Sequence, residues 1–321
     1  MNPPTFAIEC FSRAYYTIVP IVPSDRGTYA EGASSIGDHM ATQQSRLLFS
    51  TAMLLVVSFP GSAQSQSAAP SSAADLVKAV IRTELNPPDA TQIRWKYLLD
   101  KEVDGKQETR QVVEIKSGSL DRLIAIAGEP LSDAQQRDEV ARIQRLSHHP
   151  EEQRKLEQTR RKDSEQCNAF LRMIPDAFLF DYAGNSGSLV KIAFKPDPRF
   201  NPTSREAKVL HEMAGEIWVD AQQHRLVSIR GQLMNEVKFA GGLLGHLEKG
   251  GQFTVKRSEI ASGDWELTDM AINMHGKILL LKTISVQQKE LHHNFERVPD
   301  DLNLPDAAGL LLKQSLVADK R

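Results

Sequence analysis

The stretch 215–288 constrains this chain more than any other. It reads GEIWVDAQQHRLVSIRGQLMNEVKFAGGLLGHLEKGGQFTVKRSEIASGDWELTDMAINMHGKILLLKTISVQQ. β-branched and aromatic runs are separated by turn clusters at 220–223, 241–251, 262–264 and Gly276, the pattern of a meander of adjacent antiparallel strands. Further strand-like runs lie upstream. TQIRWKYLLD (91–100) and TRQVVEIK (109–116) flank an Asp104-Gly105 turn, and Leu120–Ala127 follows Ser117-Gly118-Ser119. Phe178–Tyr182 and Leu189–Pro196 pair across Gly184–Gly187, and Val209–Val219 leads into the meander. Leu291–Val298 supplies a last extended run before Pro299. About ten or eleven strands joined by short turns predict one large antiparallel sheet, which at that size curls into an open or half barrel.

Helical spacing interrupts the strands in three places. Leu76, Val77, Val80 and Ile81 mark a short helix stopped by Asn86-Pro87-Pro88. Ser132 stands three residues before Gln135, a capping-box arrangement, ahead of Val140, Ile143 and Leu146. Pro150, Glu151 and Glu152 open a second helix of this insertion (131–174), ending at Pro175; its charged first turns are a solvated face, and Cys167, Phe170, Leu171 and Ile174 form its docking patch. Pro305–Leu316 closes the fold with Leu310, Leu311 and Leu312. The class expected is α+β: a large curved sheet with a helical insertion and terminal helices packed on it.

The N-terminal region is of another kind. From Met40 a short segment with Arg46 precedes an apolar run, Leu47–Phe59, and then Gly61 and Ala63 stand at the −3 and −1 positions of a cleavage site before Gln64. This is the organisation of a secretory signal peptide. The run of about 13 residues falls short of the roughly 20 needed to cross a bilayer, so no transmembrane segment is expected after cleavage. Residues 1–39 carry scattered Pro, Gly and Ser and read as a disordered or mis-assigned leader, with Met40 as initiator. Residues 64–72 form a linker, 73–316 a single domain and 317–321 a tail. The expected location is periplasmic or secreted. After cleavage Cys167 stands alone, so no internal disulfide forms, and no Cys stands at the junction to carry a lipid.

A net charge of −2 and 6% aromatic residues argue against a nucleic-acid partner. No catalytic residue is assigned. His148-His149 and His292-His293 are adjacent pairs, which in a strand point to opposite faces. His211-Glu212 lacks the second His of a helical zinc motif, and neither a nucleophile elbow nor a phosphate-cradling loop is present. No metal and no cofactor is expected, and the protein reads as a non-enzyme.

The order of signal peptide, short helix, strands, helical insertion and a meander with a Trp strand after Gly263-Asp264-Trp265 resembles the half-barrel of bacterial periplasmic lipoprotein carriers and their sigma-factor-regulating relatives. PDAFLFDY (175–182), FKPDPRFNP (194–202), MAGEIWVD (213–220) and GGLLGHLEKGGQF (241–253) are similar to a group of uncharacterised secreted bacterial proteins. The resemblance spans 73–312 and implies an apolar concave face, closed by helices, that takes up acyl chains.

The residues support that expectation to a degree. In KILLLKTISVQQ (277–288), read as one strand, Leu279 and Leu281 fall on one face and Ile278, Leu280, Ile284 and Val286 on the other, so both faces need cover. Trp95, Tyr97, Trp218, Val227, Ile229, Leu233, Trp265, Ile272, Met274, Ile278, Leu280 and Ile284 are the candidate lining, against the alternative of an ordinary core. Leu243, Leu244 and Leu247, in a Gly-rich connection, offer either an apolar tip to a membrane or envelope partner, or a loop folded back over the barrel end. Two functions follow: a binder of lipid, lipoprotein or another hydrophobic ligand, or an envelope sensory or structural module that works through protein contacts.

Overall fold

Local chemistry sets the ends of the elements. The computed structural model describes residues 72–86, 93–116, 118–242, 245–278 and 282–313; the leader, the signal peptide with its Ala63–Gln64 junction, most of the linker and the tail lie outside them. Helix α1 (Ala73–Leu85) starts where the Ser72 hydroxyl accepts from the Asp75 amide at 3.1 Å. Helix α2 (Asp133–His148) has the capping box its sequence promised: Ser132 Oγ accepts from Gln135 N, and Ser132 N donates to Gln135 Oε1 at 2.9 Å. Helix α3 (Pro150–Ala177) opens on its proline, which lacks the amide hydrogen a first helical turn leaves idle anyway.

Strands β1 (Arg94–Val103) and β2 (Lys106–Ile115) meet at Asp104 and Gly105, with φ of 49° and 78°, the left-handed pair a tight two-residue hairpin requires. β3 (Gly118–Ile126) and the two-residue β4 (Glu129–Pro130) complete the first block. After the helices come β5 (Phe178–Ser186) and β6 (Leu189–Pro196), helix α4 (Arg205–His211), β7 (Met213–Asp220) and β8 (Arg225–Leu233). Short β9 (Val237–Phe239) and β10 (Gly245–Leu247) precede the long β11 (Gln252–Ala261), β12 (Asp264–Ile278) and β13 (Lys282–Val298), and α5 (Leu304–Lys313) ends the fold.

The thirteen strands among the described residues belong to one antiparallel, curved sheet that does not close into a barrel. Its order is β4-β3-β2-β1-β13-β12-β11-β8-β7-β6-β5, with β10 paired to β12 and β9. The two edges, β4 and β5, are the strands that α2 and α3 join in sequence. α1 packs on α3, β5 and β8, whereas α5 packs on β2, β3 and α2. Strand β2 is buried on both faces: Val112 joins Trp95, Tyr97 and Leu99, while its neighbours Val113 and Ile115 meet Ile143 of α2 and Leu311 of α5. Successive side chains of a strand point opposite ways, and that explains an unbroken VVEI run.

Four expectations change. Residues 205–211, expected to begin the meander in part, are helical, because Ser204 caps them by accepting from the Ala207 amide at 3.1 Å. Pro175 does not end α3; it sits within the last turn, where little helix remains to disturb, and the helix runs on to Ala177. Gly276 is no turn but lies inside β12 beside β10, where a Cβ would overlap the His246 carbonyl oxygen. The run 277–288 is not one strand. β12 ends at Ile278, β13 begins at Lys282 and those two residues pair, so the chain reverses between them. Three leucines without Gly, Pro or Asn gave no turn signal there.

Candidate functional site

Residues directly opposite one another on paired strands share a face of the sheet, so the register traces a single line across ten strands. Starting at Tyr182 on β5 it reads Ile192, Ile217, Ile229, Val255, Met270, Glu290, Lys101, Glu108 and Ile126. Past the exposed Tyr182 the line is apolar and buried from β6 through β12, and ionic from β13 to β2. On either side of this change the face does different work.

The aliphatic part is covered by helices. α1 and α3 bring Leu76, Val77, Val80, Phe170, Leu171 and Ile174 against Ile217, Val219, Leu226 and Ile229. The space they enclose, lined also by Ile81 and Glu84, has a volume of ≈ 20 Å³, about that of one water molecule's probe sphere. Deeper in the sheet, Gly231 leaves room for the Phe253 ring, which a Cβ would strike.

The ionic part holds buried charge in ordered contact. Lys101 Nζ reaches Glu290 at 2.9 Å, and Arg110 binds Glu108 at 2.8 Å and Asp121 at 2.5 Å. The Tyr97 ring stacks on His292 with centroids 5.1 Å apart. Pairing of β12 with β13 stops at Asp269 and Leu291, while β13 continues beside β1. Around the first residues of β12 gathers a second charged group. Trp95 donates from its indole nitrogen to Asp264 Oδ2 at 2.7 Å and from its amide to Glu114 Oε2 at 2.9 Å. Arg257 Nη1 donates to Glu84 Oε2 of α1 at 2.6 Å, and its other terminal nitrogen donates to the Trp265 carbonyl.

Such crowding changes proton affinity. Burial, helped by the nearby Asp264 and opposed by Arg257 and Arg225, lifts the Glu266 carboxyl to about 7. Burial and then Glu266 hold Glu114 well above the ordinary carboxylate value, and burial raises Asp264 as well. The Tyr97 phenol is pushed far up by burial, then by Glu114, Glu266, Glu290 and Asp121. Among the described residues no set of three or more His, Cys, Asp or Glu is placed to hold a metal.

The expected lining is thus divided. Ile229, Leu233, Ile272 and Met274 come together in the aliphatic core. Trp95, Tyr97 and Trp265 are buried but belong to the charged part, where the Trp265 indole donates to Gln223 Oε1 at 2.9 Å. Trp218 points away from Ile217 and Val219, half-buried beneath Lys191 Nζ at 5.7 Å from its ring; strand alternation makes it a poor lining residue. Val227 falls in the bulge opposite Trp218 and Val219 and is likewise only half-buried. Leu247 is no exposed tip; it lies buried in β10 among the core residues. Leu243, Leu244 and Leu280, and the side chains of Ile278 and Ile284, lie outside the described residues.

Sequence reasoning missed Glu84, Glu114, Arg225, Arg257, Asp264 and Glu266. A signal existed for one of them: Phe253, Val255 and Arg257 have the same period of two, which puts the arginine on the face of its apolar neighbours.

No family model and no curated protein matches the chain. Among solved structures, a DUF1329 family protein from Desulfovibrio piger ATCC 29098 is similar at 10% identity and a TM-score of 0.22, over 70% of this chain and 92% of that one. At that overlap it assigns no residue here a role. No helix among the described residues is long and apolar enough to cross a membrane.

Proposed function

We propose that the protein is a non-enzymatic, exported envelope protein that holds an apolar chain, the acyl part of a lipid or lipoprotein, between α1 and the aliphatic part of the sheet. The observation that carries this reading is the cover itself. α1 is a separate 13-residue helix whose Leu76, Val77 and Val80 are buried against the sheet and α3. Each such side chain gains about 1.5–3 kcal/mol by leaving water, and an acyl chain of equal apolar area gains as much. In apolar area alone, exchange of one filler for the other is therefore near neutral in energy. With ≈ 20 Å³ free, a ligand enters by displacing α1 rather than by filling a standing cavity.

The same small volume favours a second reading, an envelope module with a self-filled core that acts through protein contacts. Titration with a dansylated fatty acid separates the two. Saturable binding that Ile217→Trp abolishes, with the circular dichroism unchanged, is expected of the carrier. Failure to bind, together with native mass spectra of protein purified from its host envelope showing no added mass, leaves the second reading.

A further inference from the structure

Where β11 leaves β8 the ladder between them opens. Their pairing stops at Lys256 and Ser228, and beyond that point Arg257 of β11 and the Leu226 amide of β8 both donate to Glu84, in the last turn of α1. The Glu84 carboxylate accepts from Arg257 Nη1 at 2.6 Å and from the Leu226 amide at 3.0 Å, and Arg225 Nε lies at 3.5 Å. Arg225 Nε is buried and makes no hydrogen bond. All three charged side chains are at most 8% exposed.

Two guanidinium groups and a main-chain amide converging on one carboxylate make a site for that group, and the chain itself occupies it. Its place in the fold matters. Glu84 is the polar member of the otherwise aliphatic lining of the space beneath α1, which Val80, Ile217 and Ile229 share. At 1.5 Å per residue, Leu76 lies about 12 Å along the helix from Glu84. Helix α1 therefore offers the sheet a carboxylate at one end of an apolar stripe, Leu76, Val77 and Val80.

A molecule that displaces α1 has to replace both parts. An ester or an alcohol covers the apolar stripe but leaves the site between the arginines without its carboxylate, and a buried ion pair that loses one partner is strongly destabilised. Neighbouring groups are engaged elsewhere: Asp264 accepts from the Trp95 indole at 2.7 Å, and the other terminal nitrogen of Arg257 donates to the Trp265 carbonyl.

We propose that the ligand is a free carboxylic acid with an apolar tail, whose carboxylate takes the position of Glu84 against Arg257, Arg225 and the Leu226 amide. Glu84 is then an internal stand-in for the ligand's head group, as the rest of α1 is for its tail. This inference rests on the apolar-chain reading and narrows it: the ionised acid is the good ligand and the esterified lipid the poor one.

Displacement of a dansylated fatty acid from the full chain, at a pH where dodecanoic acid is ionised, compares that acid with its methyl ester and with dodecanol. The acid is expected to displace the probe at a concentration on the order of a hundredfold lower than either neutral compound. Glu84→Gln removes the charge of the internal occupant and should tighten binding of the probe about tenfold. Joining Arg257→Met to Glu84→Gln should bring acid and ester to nearly equal affinity. If acid and ester bind the wild-type protein equally, the proposal is overturned and the apolar-chain reading stands; if none of the compounds binds, both fall. A double variant that keeps the full preference for the acid overturns it too, as does a Glu84→Gln protein of native circular dichroism that binds the probe more weakly. Should the double variant fail to fold, Arg225→Gln takes its place, and an undiminished preference there has the same force.

Discussion

From β6 to β12 the register line on one face of the sheet is apolar and buried; from β13 to β2 the same line carries Glu290, Lys101 and Glu108. The first region is stabilised by area, which is indifferent to which apolar group supplies it. The second is stabilised by pairing, which is not: a buried charge without its partner costs several kcal/mol. Redundancy therefore belongs to one half and specificity to the other, within a single sheet.

Four substitutions press on that contrast. Phe253 is 2% exposed and fills the space over Gly231, so Phe253→Ala should cost about 3–5 kcal/mol, read as a lower urea midpoint with an unchanged slope. Lys101→Met should cost about 3 kcal/mol, because it leaves the buried Glu290 short of a cation. Adding Glu290→Gln to the same chain should recover most of that loss; if it recovers none, pairing does not govern the ionic half. Ile229→Val, on the aliphatic side of the register line, should cost only about 1 kcal/mol, and a loss as large as that at Lys101 would erase the distinction.

The sequence made the aliphatic half far more legible than the ionic one. Period-two runs such as Ile217 and Val219 and helical spacings such as Leu76 and Val80 announce themselves, and the structure places all four in one core. Glu114 and Asp264 look like ordinary surface carboxylates in sequence, yet the fold buries both. Their burial depends on where β12 parts from β13 and on which strand lies across the gap, a tertiary fact without a local signal. The tip of the β12–β13 hairpin was missed for the opposite reason. Three leucines imitate strand interior, and only the pairing of Ile278 with Lys282 shows the reversal. Helix 205–211 was hidden because its Val209 and Leu210 favour either structure, and the Ser204 cap decides between them.

The place of β13 has a consequence for how the molecule is made. It lies between β1 and β12, and its pairs with β1 join residues such as Arg94 and Val298, about as distant in sequence as this domain allows. Until that strand emerges, β1–β4 and β5–β12 are two unconnected half-sheets, each with a long raw edge. Closure of such remote loops is slow, and open edges invite other chains. A polypeptide made from its N-terminus thus carries both open edges until its last strand is added.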